Sequence, residues 1–552
     1  MEANVLDHNG RDLSGMNLSL TQGPPASARA LAMIHLAMFD VYNLLTGLRY
    51  ETNLPDLQER MDIPIEIRHR RLRFKKGKHD SPSLQVAVAA AAHTVMTHLY
   101  ANNTEILAMI DAALARTVAE QEGSSDSSDT DEDMLLMGRY MGVQVGHMCL
   151  EDRQGDGYAL EDPYLRQITY TPTGMVGNHD VDPINPQQGF FSPGAGGMTP
   201  LGTGMLEIQN FRAPMPPGMR EELGLDVSVQ GDNPTYVLDE SNAEYLRNLE
   251  EVKKLGIMRG GTSVSDTLPL DDAGYIIGNY WSYNGSPCTG TPPRLYNMYA
   301  RQIAIEKKNS LDENALLFTM INVGLGNAGI SSWDTKYHYQ LWRPIMGIRN
   351  HPDTAVRDES WSPLGASRSN PYQYEKNFSP PFPAYTSGHA TFGAVVFKTL
   401  INFYGKDDIE VEFVSDEWNG LTKDMYGRIR PLLPRTFETF TMAMAENSAS
   451  RVFNGVHWRF DGSAGVQAGI DIADYIFEYL FLPVEKENKS KSSSGNKSTS
   501  TFRGQTRDLK KKAKKKYKHV RTRKSTPSGD FKAAIDCILA HPDYQERNAC
   551  HF

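Results

Sequence analysis

Ser450-Arg451-Val452-Phe453-Asn454-Gly455-Val456-His457-Trp458-Arg459-Phe460-Asp461 is the stretch on which the reading of this 552-residue chain turns. Apolar residues recur at three-to-four spacing from Thr436 to Phe453, which predicts a helix. Gly455 suits the left-handed residue that follows a helix end. Arg451 then lies in the last turn and His457 just beyond it. Asp461 comes four residues later, where its carboxylate can accept a ring N–H of His457 and orient the imidazole. A lone histidine near a helix end is ordinarily a satisfied surface or core group. One with an arginine before it and an aspartate after it is less often so.

Two upstream blocks belong with this stretch. Lys336 and Arg343 stand seven residues apart, nearly two helical turns, which predicts one face carrying Trp333, Lys336 and Arg343 and ended by Pro344. A solvated basic face has the same signature. The second block, Ser387-Gly388-His389, follows Ser379-Pro380-Pro381-Phe382-Pro383-Ala384-Tyr385-Thr386. The prolines impose an extended approach, and the apolar run after them predicts a helix with Thr386 or Ser387 as N-cap. The first N–H groups of such a helix lack partners and sit at its positive end. Gly388 lets an anion approach the backbone, Ser387 adds a hydroxyl, and His389 can transfer a proton near neutral pH. Alone, this block also reads as an ordinary capped core helix. Together the blocks supply three cations, one hydroxyl, one glycine amide and two imidazoles. That set suits an oxyanion such as phosphate or vanadate whose centre bonds a histidine nitrogen.

The order lysine, six residues, arginine-proline, then serine-glycine-histidine, then serine-arginine, five residues, histidine resembles the vanadium-dependent haloperoxidases and the related type 2 phosphatidic acid phosphatase superfamily. The resemblance is nearer to the chloroperoxidase branch. It extends to Gly23–Leu31, Tyr280–Gly285, Gly290–Asn297 and Pro380–Tyr385, and covers roughly residues 16 to 482. It implies a mainly α fold of two four-helix bundles with long irregular loops. It further implies that His457 bonds vanadium, that Lys336, Arg343 and Arg451 neutralise the vanadate oxygens, and that Ser387 and the Gly388 amide donate hydrogen bonds. His389 would be the acid–base group working on hydrogen peroxide, and Trp333 and Phe382 would line the halide side. Halide and a small organic acceptor would be the other reactants, with phosphate as competitor. Two positions depart from the family. Thr386 replaces a proline, keeping a hydroxyl able to cap. Asn284 replaces an aspartate and carries no charge to support a neighbouring cation, so bromide and iodide are expected to react readily and chloride weakly. The same cradle also fits an acid phosphatase, in which His457 attacks phosphorus and His389 protonates the leaving alcohol. The match outside the motifs favours the haloperoxidase. A non-catalytic helical scaffold is a third reading, disfavoured because every cradle residue is present.

Composition frames these readings. A net charge of −10 argues against a nucleic-acid binder overall. Cys149, Cys288, Cys537 and Cys550 show neither metal-ligand spacing nor a small disulfide framework. The start, Met1 to Asp7, lacks a basic residue run before an apolar core, and no stretch approaches the run of about 18 apolar residues that spans a bilayer. A soluble protein without a secretory signal is expected. Helices are predicted over Ser27–Leu45, Ser83–Leu99, Thr104–Ala119, Met134–Leu150, Asn242–Leu255, Arg294–Glu306, Glu313–Val323, His389–Phe403 and Ser463–Phe481. Residues 154–237, rich in glycine and proline, read as a long irregular excursion, and Glu120–Asp133 as an acidic surface loop. The expected organisation is an arm over 1–15, a helical unit over 16–482 with its site within 330–465, and a basic, disordered tail over 485–552. The lysine run Lys510–Lys518 suits contact with acidic surfaces, and Phe531–Leu539 suits one short helix.

Overall fold

Two sets of helices carry the regular structure of the computed structural model, which describes residues 23–61, 82–123, 132–158, 170–186, 190, 193–213, 243–259, 267–283, 290–365, 379–424, 427–484, 528–547 and 550. The first set is α1 (Pro24–Leu45), α2 (Pro82–Leu99), α3 (Thr104–Gly123) and α4 (Glu132–Asp152). Pro24 and Pro25 open α1, where a missing N–H breaks no bond. The α2–α4 contact is the closest in this bundle. A Cβ at Gly142 would lie 2.1 Å from the Ala87 carbonyl oxygen and one at Gly138 2.2 Å from that of Ser83, so only glycine permits the approach.

Three connecting helices follow, α5 (Ala243–Leu255), α6 (Ala273–Tyr280) and α7 (Pro292–Glu306). Then come α8 (Leu311–Tyr339), the short α9 (Pro344–Arg349), α10 (Gly388–Tyr404), strands β1 (Val411–Phe413) and β2 (Arg435–Phe437), α11 (Phe440–Phe453) and α12 (Arg459–Tyr479). The second four-helix bundle is α8, α10, α11 and α12. The strands pair antiparallel, with Val411 opposite Phe437. The chain is therefore mainly α, with two bundles joined through α8, which packs on α1 on one side and on α10 and α12 on the other.

Several expectations change. The helix expected over Glu313–Val323 runs on to Tyr339. Gly324, Gly326, Asn327, Gly329, Ser331 and Ser332 blur its apolar pattern because the helix is buried on every side there, so no polar face exists to read. Lys336 and Arg343 do not share a helix. Gln340 turns left-handed (φ 52°) and ends α8, and Arg343 is extended ahead of Pro344. The helix expected from Thr436 begins at Phe440, since Arg435–Phe437 pairs as a strand. The one expected from Ser463 begins at Arg459.

The C-terminal region changes most. Within the expected tail, α13 (Ser528–Ala540) and α14 (Tyr544–Arg547) are folded, and α13 packs on α11. Phe531, Ala534, Ile535, Ile538 and Leu539 form its buried stripe. Cys537 and Cys550 form a disulfide, which corrects the reading of the cysteines. Residues 485–527, with the lysine run, lie outside the described residues, as do the arm over 1–15 and most of the acidic loop.

Among the described residues two helices, α1 and α8, are by length and composition apolar enough to cross a bilayer, contrary to the expectation of no such stretch. Their apolar windows are 89% and 83% buried inside the protein, as core helices are. The described parts of the 154–237 excursion are irregular apart from 3-10 turns at Pro193–Gly197 and Ile208–Phe211. They lie along α8, where Arg212 grips Asp334 at 2.6 and 3.0 Å. They also pair with the α8–α9 connection, where the Trp342 N–H donates to Gly177 at 2.8 Å.

Candidate active site

The break at Gln340 builds the site. Lys336 sits in the last turn of α8 on one side of the break and Arg343 caps α9 on the other, so both side chains turn inward toward the proline-rich approach to α10. The Lys336 ammonium donates to the carbonyls of Pro383 (3.0 Å) and Ala384 (2.9 Å) and to that of Thr386. Arg343 donates through Nε to the Phe382 carbonyl and through Nη1 to that of Val456, both at 2.8 Å. Its Nη1 also lies 2.9 Å from His457 Nε2. Its Nη2 is buried with no hydrogen-bond partner among the described residues. Phe382 lies under both cations, 4.8 Å from the Arg343 guanidinium and 5.2 Å from the Lys336 ammonium, which fits cation–π attraction. Trp333 packs against Phe382 with ring centroids 4.8 Å apart.

Ser387 is the N-cap of α10, its Oγ accepting from the Ala390 N–H. That bond uses a lone pair and leaves the hydroxyl proton to donate. The Ser387 N–H donates to the Asp461 carbonyl at 3.0 Å, which ties α10 to α12. The helices come this close because α12 carries glycine at the contact: a Cβ at Gly469 would lie 2.4 Å from the Thr391 carbonyl oxygen. Gly388 opens α10 with room beside Trp333 and Phe392.

Arg451 sits in the last turn of α11, and Gly455 follows with φ 67°. His457 Nδ1 lies 2.9 Å from Asp461 Oδ2, which also accepts the Trp458 N–H at 3.1 Å. A carboxylate oxygen only accepts, so Nδ1 carries the proton and Nε2 keeps its lone pair, facing Arg343. His389 Nε2 lies 2.5 Å from the Ser282 carbonyl, so here Nε2 carries the proton and Nδ1 the lone pair. Asn447 Nδ2 and the Tyr296 hydroxyl hold the His389 carbonyl, each at 2.9 Å.

Burial dominates the electrostatics. Lys336, Arg343 and Arg451 are each at most 1% exposed. Burial pushes Lys336 well below the usual lysine range, aided by Arg343. It lowers Arg343 to about 9 and Arg451 to about 10. It also raises the Asp461 carboxyl to about 7 against the pull of Lys336 and Arg343. His389 and His457 are held well below the imidazole range, first by burial and then by the neighbouring cations. Buried cations in excess of carboxylates are costly unless an anion joins them.

The structure thus gathers Lys336, Arg343, Ser387, Gly388, His389, Arg451, His457 and Asp461, with Trp333 and Phe382 beside them. Asn284 lies outside the described residues. Sequence reading missed the Ser282 and Val456 carbonyls, which as backbone atoms carry no signature. It also missed Tyr296 and Asn447, and His179, a buried histidine whose ring proton is disfavoured by burial, Arg343 and Lys336.

Residues 316–485 match a family model described as the VCPO second helical-bundle domain. A vanadium chloroperoxidase of Curvularia inaequalis is 30% identical over 499 residues, covering 80% of this chain and 75% of that protein. Among solved structures, a bacterial vanadium-dependent iodoperoxidase aligns with a TM-score of 0.59 and 20% identity, covering 84% of this chain and 93% of its own. A bacterial vanadium-dependent chloroperoxidase in its holo form aligns with a TM-score of 0.55 and 13% identity, covering 85% and 94%. At these identities the two structures show a shared fold.

Proposed function

The chain belongs to the vanadium haloperoxidase family, and on that premise we propose that it oxidises halide with hydrogen peroxide to hypohalous acid at the His457 site, with vanadate as cofactor. The observation that carries this reading is charge. Lys336, Arg343 and Arg451 are buried around His457, and Asp461 is the carboxylate that acts on Lys336 and Arg343. An oxyanion with two or three negative charges balances this set, and the unpartnered Nη2 of Arg343 gives it a donor. Vanadate fits. His457 Nε2 would bond its metal, while Lys336, Arg343 and Arg451 hold its oxygens by charge and the Ser387 hydroxyl and Gly388 N–H by hydrogen bonds. When bound, it supplies a Lewis acid that makes a peroxide oxygen electrophilic.

The remaining work falls to the chain. Asp461 keeps the proton on His457 Nδ1, so Nε2 stays a ligand. The Ser282 carbonyl does the same for His389 Nε2, so Nδ1 of His389 takes the proton of incoming hydrogen peroxide and returns it to the departing oxygen. The depressed basicity of His389 supports both halves. The ring is neutral at neutral pH, and the surrounding cations favour its giving the proton back. Trp333 and Phe382 form an apolar wall where a halide sheds water. Bromide and iodide react readily and chloride weakly, because Asn284 supplies no charge where the family has a carboxylate. We assign the anion cradle to the unit over residues 16–482, which holds every one of its residues.

The test strips the protein of vanadium, reloads it with orthovanadate and follows peroxide-dependent bromination of a phenol-red-type dye with and without phosphate. Activity should require vanadate and be competed by phosphate. Equal bromination by the stripped protein would remove the cofactor from the proposal. Rapid hydrolysis of p-nitrophenyl phosphate with no bromination after loading would transfer the site to an acid phosphatase with a phosphorylated His457.

A further inference from the structure

The C-terminal segment that sequence reading left without a role ends on the active site's supports. Tyr544, in α14, is 6% exposed, and its hydroxyl donates to Glu446 Oε2 at 2.7 Å. Glu446 lies in α11 and is fully buried. Arg435 grips it with Nε at 2.9 Å and Nη2 at 2.5 Å. The Trp281 indole N–H donates to its Oε1 at 3.0 Å. The residue after Trp281 is Ser282, whose carbonyl accepts from His389 Nε2. A bidentate arginine alone would neutralise this carboxylate. The indole and the phenol add no charge; what they fix is direction, one from the side of His389 and the other from the C-terminal segment.

The same turn of α11 holds His389 twice. Asn447, next to Glu446, donates to the His389 carbonyl and so fixes its backbone. Glu446, through Trp281 and Ser282, fixes its ring. The Trp281–Ser282 corner has little freedom of its own. Trp281 is fully buried, with ring contacts to Phe397 and Phe437, and the Tyr280 carbonyl accepts from Ser415 Oγ at 2.6 Å. On the far side, the disulfide between Cys537 and Cys550 closes the short loop that carries Tyr544, and Arg459, two residues after His457, pairs with Asp536 of α13.

We propose that the Ser528–Cys550 segment is a working part of the active site, with Tyr544 and Glu446 as positioning residues that aim the His389 ring through Trp281 and the Ser282 carbonyl. The role assigned to His389 rests on the haloperoxidase reading; the mechanical coupling does not. Misplacing a reacting group by about 1 Å can cost about a hundredfold in rate. Loss of one of four donors to Glu446 should move the ring less, so kcat should fall about tenfold with little change in vanadate affinity.

The first readout needs no cofactor. In full-length, vanadium-free protein labelled with 15N-histidine, the Nε2–H resonance of His389 is identified by its loss in His389→Gln. It should shift in Tyr544→Phe, in Trp281→Phe and on reduction of the Cys537–Cys550 disulfide, while the Nδ1–H resonance of His457, bound to Asp461, stays in place. A His389 resonance unmoved by both substitutions overturns the proposal. The second readout is a double-mutant cycle in bromination. Tyr544→Phe should lower kcat in the native background and add nothing in His389→Ala; equal fractional losses in both would mark Tyr544 as a general stabiliser and overturn the proposal. A protein that never brominates removes the haloperoxidase reading, and the resonance shifts still decide the coupling.

Discussion

Arg451→Met should make the ligand-free protein more stable and ruin its anion site. Methionine has nearly the length of the arginine stem and no charge. Burial holds the Arg451 guanidinium at about 10, against an ordinary 12.5. At about 1.4 kcal/mol per pH unit, keeping that group charged inside the fold at neutral pH costs about 3 kcal/mol. The substitution removes this cost along with whatever the side chain's contacts contribute, so a net gain of about 1–3 kcal/mol is expected, as when buried charges give way to apolar residues. The same change deletes a charge-assisted bond to the anion, worth about 1.5–3 kcal/mol, so vanadate affinity should drop about ten- to a hundredfold. Guanidinium unfolding at pH 7, with and without orthovanadate, reads both. Wild type should gain stability on adding vanadate, and the variant should start higher and gain little. A variant that is less stable than wild type without anion, or that binds vanadate within threefold of wild type, refutes the idea that these cations are held at a cost for an anion.

His457→Ala should lose most vanadate in equilibrium dialysis, whereas His389→Ala should keep it and brominate only at a slow residual rate; equal loss of binding would reject that division. His35 is buried in α1 and held down to about 3 from 6.5. Between those values the unfolded chain binds the proton and the fold does not, so stability is present above about pH 6.5 and is lost as pH falls toward 3, by up to about 5 kcal/mol. His35→Leu should flatten the fall in urea midpoint between pH 6.5 and 4, and an unchanged slope would count against it. Asn284→Asp should raise chloride turnover relative to bromide and move the pH optimum; steady-state rates with each halide from pH 4 to 8 check this, and an unchanged profile would show that position 284 does not tune the site.

Legibility followed exposure. Helices with a wet face, such as α3, show their period and where they begin; α10, buried from Gly388 to Ile401, is marked instead by the prolines and cap residues ahead of its apolar run. Helix α8 shows neither past Val323, because its residues there are enclosed on all sides and small side chains set how closely its neighbours approach. The cradle was readable as residue types and spacing, since cations, a hydroxyl and imidazoles in that order have few other uses. The way they meet was not: a seven-residue interval suggested one helix, and a left-handed Gln340 made it two. Backbone acceptors such as the Ser282 carbonyl leave no trace in a sequence. Of the C-terminal helices, α13 was legible as the short helix over Phe531–Leu539, whose apolar stripe at Phe531, Ile535 and Ile538 keeps helical period; the four-residue α14 is too short to show a period, and the lysine run ahead of both hid that they pack on the core.

The position of α8 makes the catalytic half unsuitable for excision. Thr319 Oγ1 donates to the His35 carbonyl of α1, and a Cβ at Gly329 would lie 3.2 Å from Pro25 Cα, so the first bundle is the wall of this helix and not a neighbour to it. A truncated chain holding only the second bundle would carry every cradle residue and still expose one long flank of α8 to water. That flank belongs to a helix apolar enough to enter a bilayer. Such a fragment would aggregate or partition into detergent, and its inactivity would then say nothing about the chemistry of His457.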